Sequence, residues 1–359
     1  MSSALRTLGW GLYLTSSWTW CIGMFLPVIM LRHFGWAGFL AFAVPNVLGC
    51  AGFGYLCSPE RSQEMQRTLA GLMRWFSLAT VAYQVFFLCW IGHTAMSGGA
   101  LSGTLGPLVV LALALGAAPF VNRRERTLLI GSMMVFAASA ALFLMLGGSA
   151  PLADFPRAGP LGSEYVWLVP VLVLGFLACP WLDLTFHHAL QSAPSKHAFG
   201  VFGLAFAAML MLSAAIAHFD GSIQEGSIPW PIAAQWAMQC AFTIAAHVER
   251  FTSQRNAALR PALTTLLVAA VLAGILGWLR GGEDTYLRFL GLFGWVFPVL
   301  LLLRPLRGGY VLAGIVAVGG APLLERAWVG QEFHKAAIPM GALLLIWAVW
   351  PRRPAIRPA

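Results

Sequence analysis

Charge is what this chain has least of. Of 359 residues only 10% are Asp, Glu, Lys or Arg, against 59% hydrophobic, and mean hydropathy is +0.77. A soluble globular protein needs about 25% charged residues to wet its surface, so a water-soluble globule is excluded. A disordered chain needs low hydrophobicity and high charge, the reverse of this composition. Also missing are a phosphate-binding P-loop, a GxGxxG turn, HExxH, CxxCH and any CxxC pair. With them go the usual signatures of ATP-driven pumps, dinucleotide enzymes, zinc hydrolases and c-type haem proteins. No spacing singles out a nucleophile–base pair, so the chain is read as a non-enzyme with no cofactor. The six cysteines (Cys21, Cys50, Cys57, Cys89, Cys179, Cys240) fall mostly inside apolar runs and read as small buried hydrophobes. A net charge of +9 would suggest nucleic acid in a soluble domain. Here no nucleic-acid partner is expected, and the basic residues are read through their loops.

What is present is a series of apolar runs. A membrane-spanning helix needs about 20 mostly apolar residues. Such runs fall near 8–31, 34–56, 68–95, 103–121, 127–147, 165–189, 198–218, 230–250, 262–280, 285–303, 308–324 and 335–350. The first is too long for a signal-peptide core and lacks an A-x-A site. With the N-terminus in the cytoplasm, 16 of the 22 Lys and Arg residues fall on the inner side and six (Arg32, Arg157, Arg280, Arg288, Arg326, Lys335) on the outer. That bias follows the positive-inside rule. The expectation is an all-α polytopic protein of about twelve spans in a bacterial inner membrane, with both termini cytoplasmic and lipid its constant partner.

The longest polar break, 147–163, follows the fifth run. It divides the chain into a five-helix unit (1–147), a second five-helix unit (148–303) and two further helices with a basic tail (304–359). The first run of each unit is interrupted near its middle. Run one carries Thr15-Ser16-Ser17-Trp18-Thr19-Trp20-Cys21-Ile22-Gly23, then Pro27; run six carries Gly175-Phe176-Leu177-Ala178-Cys179-Pro180, then Asp183. Paired interruptions at corresponding positions point to an inverted-repeat binding site, because broken backbone at that depth must line a cavity or be buried in protein. Gly and Pro also kink ordinary membrane helices, which is the plainer explanation.

Polar side chains within the runs follow helical spacing. Gln235, Gln239, Thr243 and His247 recur every four residues in run eight, one continuous stripe. Facing lipid, it would leave two amides and an imidazole unsatisfied at several kcal/mol each. It therefore lines a pathway or bonds to a neighbouring helix. In run six, Asp183 and His187 are four apart, with His188 beside them. Carboxylate and imidazole together suit proton transfer; alternatively Asp183 caps a half-helix. Run three offers Ser77, Thr80, Tyr83 and Gln84 on or near one face, with Asn46 and His93 as lesser candidates.

The stretch YLTSSWTWCIGMFLPVIMLRHFGWAGFLAFAVPNVLGCAGFGYL (13–56) resembles the first core helix pair of the sodium/solute symporter family. CPWLDLTFHHALQSAPSKHAF (179–199) resembles its sixth core helix and following loop. The resemblance implies the LeuT-type fold of the amino acid–polyamine–cation superfamily, with 5+5 inverted repeats, and ion-coupled symport of a small solute by alternating access. It implies substrate contacts at Trp18, Thr19, Trp20, Tyr83, Gln84, Cys179, Asp183 and Gln239. Coupling of Na⁺ would use Ser17, Trp18, Cys21 and Thr243; coupling of H⁺ would use Asp183, His187 and His247. The alternative expectation is a transporter-like subunit, anchor or sensor that works with partner proteins and no longer transports.

Overall fold

A computed structural model of the chain describes residues 1–97, 125–147, 157–252 and 259–352. Among these residues there is no strand, and nearly everything is helical. Among the described residues, seven helices are long and apolar enough to cross a membrane, or eight if one bent pair counts as a single span. The protein is thus an integral membrane protein by composition and by helix length. The fourth apolar run, 103–121, lies outside the described residues. The eighth run forms a 23-residue helix but is not among the seven. Its four-residue polar stripe is what sets it apart.

The elements used below are α1 (Ser3–Trp18), α2 (Cys21–Leu56), α3 (Pro59–Thr68), α4 (Ala70–Ser97), α5 (Glu125–Gly147), α6 (Val169–Ala178), α7 (Leu184–Ser192), α8 (His197–Ala214), α9 (Trp230–Thr252), α10 (Leu259–Arg280), α11 (Glu283–Leu303), α12 (Gly309–Trp328) and α13 (Ala337–Val349). The boundary between the first two apolar runs is a kink inside α2 at Gly35, with φ 66° and ψ −159°. An L side chain rarely adopts that backbone. The carbonyl of His33, beside the kink, accepts the N–H of Leu161 at 2.9 Å. The loop approaches so closely that a Cβ on Gly159 would lie 2.6 Å from that carbonyl.

Helix α3 is polar and lies between two long apolar helices. Its start is specified locally: the Ser58 hydroxyl accepts the N–H of Arg61, Pro59 opens the first turn, and Glu60 and Arg67 complement the helix dipole. The core is made where α1 packs on α5, α8 and α9, α2 on α6 and α8, and α4 on α9 and α10. Small residues set the approach. A Cβ on Gly277 of α10 would sit 2.4 Å from the carbonyl oxygen of Phe86 on α4. Gly277→Val is therefore expected to push α10 off α4 and destabilise the protein by about 1–3 kcal/mol, read as a lowered unfolding midpoint in detergent. An unchanged midpoint would contradict the close packing.

Candidate functional site

Two interrupted helices meet at the centre of the bundle. The first break lies between α1 and α2. Thr19 (φ −73°, ψ 68°) forms an inverse γ-turn in which the N–H of Trp20 donates to the carbonyl of Trp18 at 2.7 Å. Trp20 is then extended (ψ 176°) and α2 begins at Cys21. The freed groups find partners from several elements. Gln84 Oε1 on α4 accepts the N–H of Cys21 (3.1 Å) and the thiol of Cys240 on α9 (3.2 Å). The carbonyl of Cys21 accepts the hydroxyl of Tyr286 (3.0 Å), and the Tyr83 hydroxyl donates to the Tyr286 carbonyl (2.9 Å). The Ser16 carbonyl accepts the Thr243 hydroxyl (3.4 Å), and Thr19 donates its hydroxyl to the carbonyl of Thr15 (2.7 Å).

The second break lies between α6 and α7, which bend by 53°. Cys179-Pro180-Trp181 form a single 3₁₀ turn, as a Pro there dictates by removing a donor. The Cys179 thiol donates to the carbonyl of Phe293 in α11 (3.3 Å). Asp183 is extended (φ −81°, ψ 114°) and caps α7, its Oδ1 accepting both the N–H and the hydroxyl of Thr185 at 2.7 Å.

Asp183 is where the two breaks and the polar stripe converge. Its Oδ2 has no hydrogen-bond partner among the described residues and lies 3.7 Å from Nε2 of His247 on α9. Both side chains are fully buried. The hydroxyl oxygen of Ser17 in α1 lies 3.4 Å from that of Thr185. The centre thus gathers a carboxylate, an imidazole and the hydroxyls of Ser17, Thr185 and Thr243. An unpaired charge would be expensive there, whereas carboxylate and imidazole in contact can hold one proton between them. Among the described residues, no group of three His, Cys, Asp or Glu side chains is arranged to hold a metal ion.

The partner of Asp183 differs from the one its sequence neighbourhood suggests. His187, expected beside it at i+4, turns instead to α3: its Nδ1 lies 2.7 Å from the Ser62 hydroxyl and its Nε2 3.1 Å from the Trp181 carbonyl. The reason is local. Asp183 stands outside the helix as its cap, so its side chain folds over the first turn rather than along the helix face. Ser62 also accepts the Gln191 amide at 2.7 Å, which docks α3 on α7. Ser62→Ala would leave Nδ1 of the buried His187 unpaired, a cost of about 1–3 kcal/mol. The double variant Ser62→Ala/His187→Ala is expected to lose less than the sum of the two single changes. Strict additivity, within about 0.5 kcal/mol, would contradict the contact. His188 packs edge-on against Trp10 (4.9 Å between ring centroids) and Tyr13 (6.1 Å).

The remaining expected residues fill the centre. Trp18 and Trp20 pack with ring centroids 4.6 Å apart. Trp20 also meets Phe76 (5.6 Å), Phe293 (5.1 Å) and His247 (5.7 Å). Asn46 accepts the indole N–H of Trp18 at 2.9 Å. Tyr83 stacks on Phe289 (5.1 Å), and His93 packs on Trp278 (4.8 Å). Gln239 donates to Ser139 on α5 at 2.8 Å; both amide atoms of Gln235 are buried without a hydrogen-bond partner among the described residues. Cavities of about 820, 210 and 50 Å³ among the described residues lie elsewhere, and none of these is lined by Trp18, Trp20, Tyr83, Gln84 or Asp183. The rings of Trp18, Trp20, Phe76 and Phe293 pack together at the first break.

Sequence reasoning missed Tyr286 and Phe293, which brace the first break from α11, and an ionic cluster around Arg32. There Arg32 pairs with Asp220 (2.8 Å) and with Glu283, and His33 Nε2 lies 3.4 Å from Glu283. Only His33, adjacent to Arg32, hinted at it in the sequence. No family model matches this chain, and no curated protein matches it.

Proposed function

We propose that the protein is a secondary transporter that moves a small solute by alternating access, coupled to protons at Asp183 and His247. The observation that carries this reading is the convergence of two broken helices and a buried polar stripe on one carboxylate–imidazole pair. Intramembrane ionisable groups are costly and mark ion or substrate pathways. Binding at paired helix breaks is the arrangement of inverted-repeat transporters.

The packing supports a twelve-span reading with 5+5 repeats plus two further helices. In an inverted repeat contacts between runs recur with both partners advanced by five, and several contacts here do so. Run one meets run five where Gly9 lies against Leu129; run six meets run ten where Gly175 lies against Gly294. Run one meets run seven where Gly11 lies against Val201; run six meets run two where Gly49 lies against the Phe176 carbonyl. Runs three and eight, exchanged with each other by the repeat, pack together as α4 and α9. The same correspondence supports a sodium/solute symporter-like, LeuT-type architecture.

Sodium would draw on the Ser16 carbonyl and the hydroxyls of Ser17, Thr185 and Thr243. Several of these are already committed to one another, whereas Asp183 and His247 face each other with no other partner at the facing atoms, which favours H⁺. Half-helix N-termini favour an anionic solute group such as a carboxylate. The closed centre and the Arg32 cluster fit a state shut to the outside. The test is uptake of small carboxylate-bearing solutes into proteoliposomes, driven in turn by an inward pH gradient and an inward sodium gradient. Uptake driven by the pH gradient is expected; uptake driven by sodium alone would overturn proton coupling.

One observation favours a second reading. The Trp18–Trp20 pair occupies the break where a solute would sit, as it would in a membrane subunit or sensor that no longer transports. A chain that never opens gives no uptake under either gradient.

A further inference from the structure

A cavity of about 210 Å³ lies between α11 and α12, away from the breaks. Gly291, Gly294, Trp295, Ala321, Leu324 and Trp328 line it, and Arg288 and Glu325 stand at its rim. The two rim residues are paired, with Arg288 Nε and Nη2 2.8 and 2.7 Å from Glu325 Oε1, and their side chains are 47% and 43% exposed.

Three features of this cavity point to one occupant. The first is its surroundings. Val311, Ile315 and Val318 form a stripe on α12 that is 71%, 66% and 74% exposed. In a membrane helix such a stripe faces hydrocarbon. Ala321 and Glu325 follow Val318 at i+3 and i+7 and so continue that face; the cavity opens onto lipid. The second is depth. Arg288 lies five residues into α11, about 7.5 Å from its start at 1.5 Å per residue, which is headgroup depth. Val296, at the far end of the lining, is about 12 Å deeper. The third is chemistry. A guanidinium has five N–H donors, Glu325 engages two nitrogens, and the remaining donors suit a phosphate.

We propose that this cavity binds a phospholipid, with one acyl chain between α11 and α12 and the phosphate on Arg288. The backbone is shaped for it. Residues Leu292–Val296 form a π-helical turn, a feature often found at functional sites, and the Cβ direction of Gly291 is open space. The opposite side of that turn braces the first break: the Phe293 ring touches Trp20 and its carbonyl accepts the Cys179 thiol. A bound chain therefore packs on the back of the turn that closes the centre. The inference does not depend on whether the protein transports.

The test uses the full-length protein, delipidated in detergent and titrated with phosphatidylglycerol brominated in mid-chain, with tryptophan quenching as the readout, since Trp295 and Trp328 line the cavity. Wild type is expected to show saturable quenching. Gly291→Leu, which fills open space, is expected to abolish the saturable part, as is Ala321→Phe from the facing wall. Arg288→Gln is expected to raise the half-saturating lipid concentration at least tenfold while leaving quenching by a brominated alkane unchanged. Bound lipid counted by native mass spectrometry should fall by one per chain in the filled variants. Quenching and lipid count unchanged in both filled variants would overturn the site; an unchanged concentration for Arg288→Gln would overturn the headgroup contact.

Discussion

Asp183→Asn is expected to abolish proton-driven uptake, by about 100-fold or more, with the fold intact. The size follows from losing the group proposed to carry the proton, a role worth two to four orders of magnitude where such groups have been removed. The fold survives because the structural duty of Asp183 is to cap α7 through Oδ1, and asparagine caps as well as aspartate. The side chain thus has two separable jobs. Oδ1 holds the helix start; Oδ2 faces His247. Asp183→Ala removes both and is expected to cost about 1 kcal/mol of stability besides activity. His247→Gln is expected to match Asp183→Asn in uptake. Proton-driven uptake at the wild-type rate in Asp183→Asn, with an unfolding midpoint equal to wild type, would remove Asp183 from the coupling step.

Trp20→Ala is expected to be among the most destabilising single changes in the chain, at about 3–5 kcal/mol. Its ring is 2% exposed and is enclosed by Trp18, Phe76, Phe293 and His247. Its indole N–H also donates to the Ser17 carbonyl at 2.7 Å, within the break itself. Trp20→Phe keeps most of the packing and loses that bond, so a smaller loss is expected. In a protein that transports, the alanine variant also opens the closed centre, which should appear as leak of protons down their gradient without solute. A near-neutral unfolding midpoint for Trp20→Ala would show that the ring does not hold the centre together.

Much of this arrangement was legible in the sequence because membrane depth makes local signals strong. The hydroxyl-rich segment and Pro180 fall where the chain leaves the helix, at Thr19–Trp20 and Cys179–Asp183, whereas Gly23, Pro27 and Gly175 lie inside helices. The stripe from Gln235 to His247 had to be buried, since lipid offers no partners, and all four residues are buried. What failed was pairing across the fold. Asp183 and His247 sit on separate helices, and nothing in either neighbourhood announces the other; the nearer His187 drew the assignment instead. Tyr286 reaches the Cys21 carbonyl with a hydroxyl and Phe293 meets Trp20 at a ring edge, both from a distant run whose spacing does not announce either contact. Three of the six basic residues counted on the outer side, Arg32, Arg288 and Lys335, have acidic partners. They belong to specific ion pairs, which a loop count of Lys and Arg does not register.

The most direct test is solute-evoked proton entry into proteoliposomes loaded with a pH-sensitive dye, comparing wild type with Asp183→Asn across a panel of small carboxylate-bearing solutes. Coupling at the Asp183–His247 centre predicts that at least one solute acidifies the lumen with wild type and that the signal vanishes in the variant. Wild-type vesicles indistinguishable from protein-free vesicles across the whole panel would contradict it.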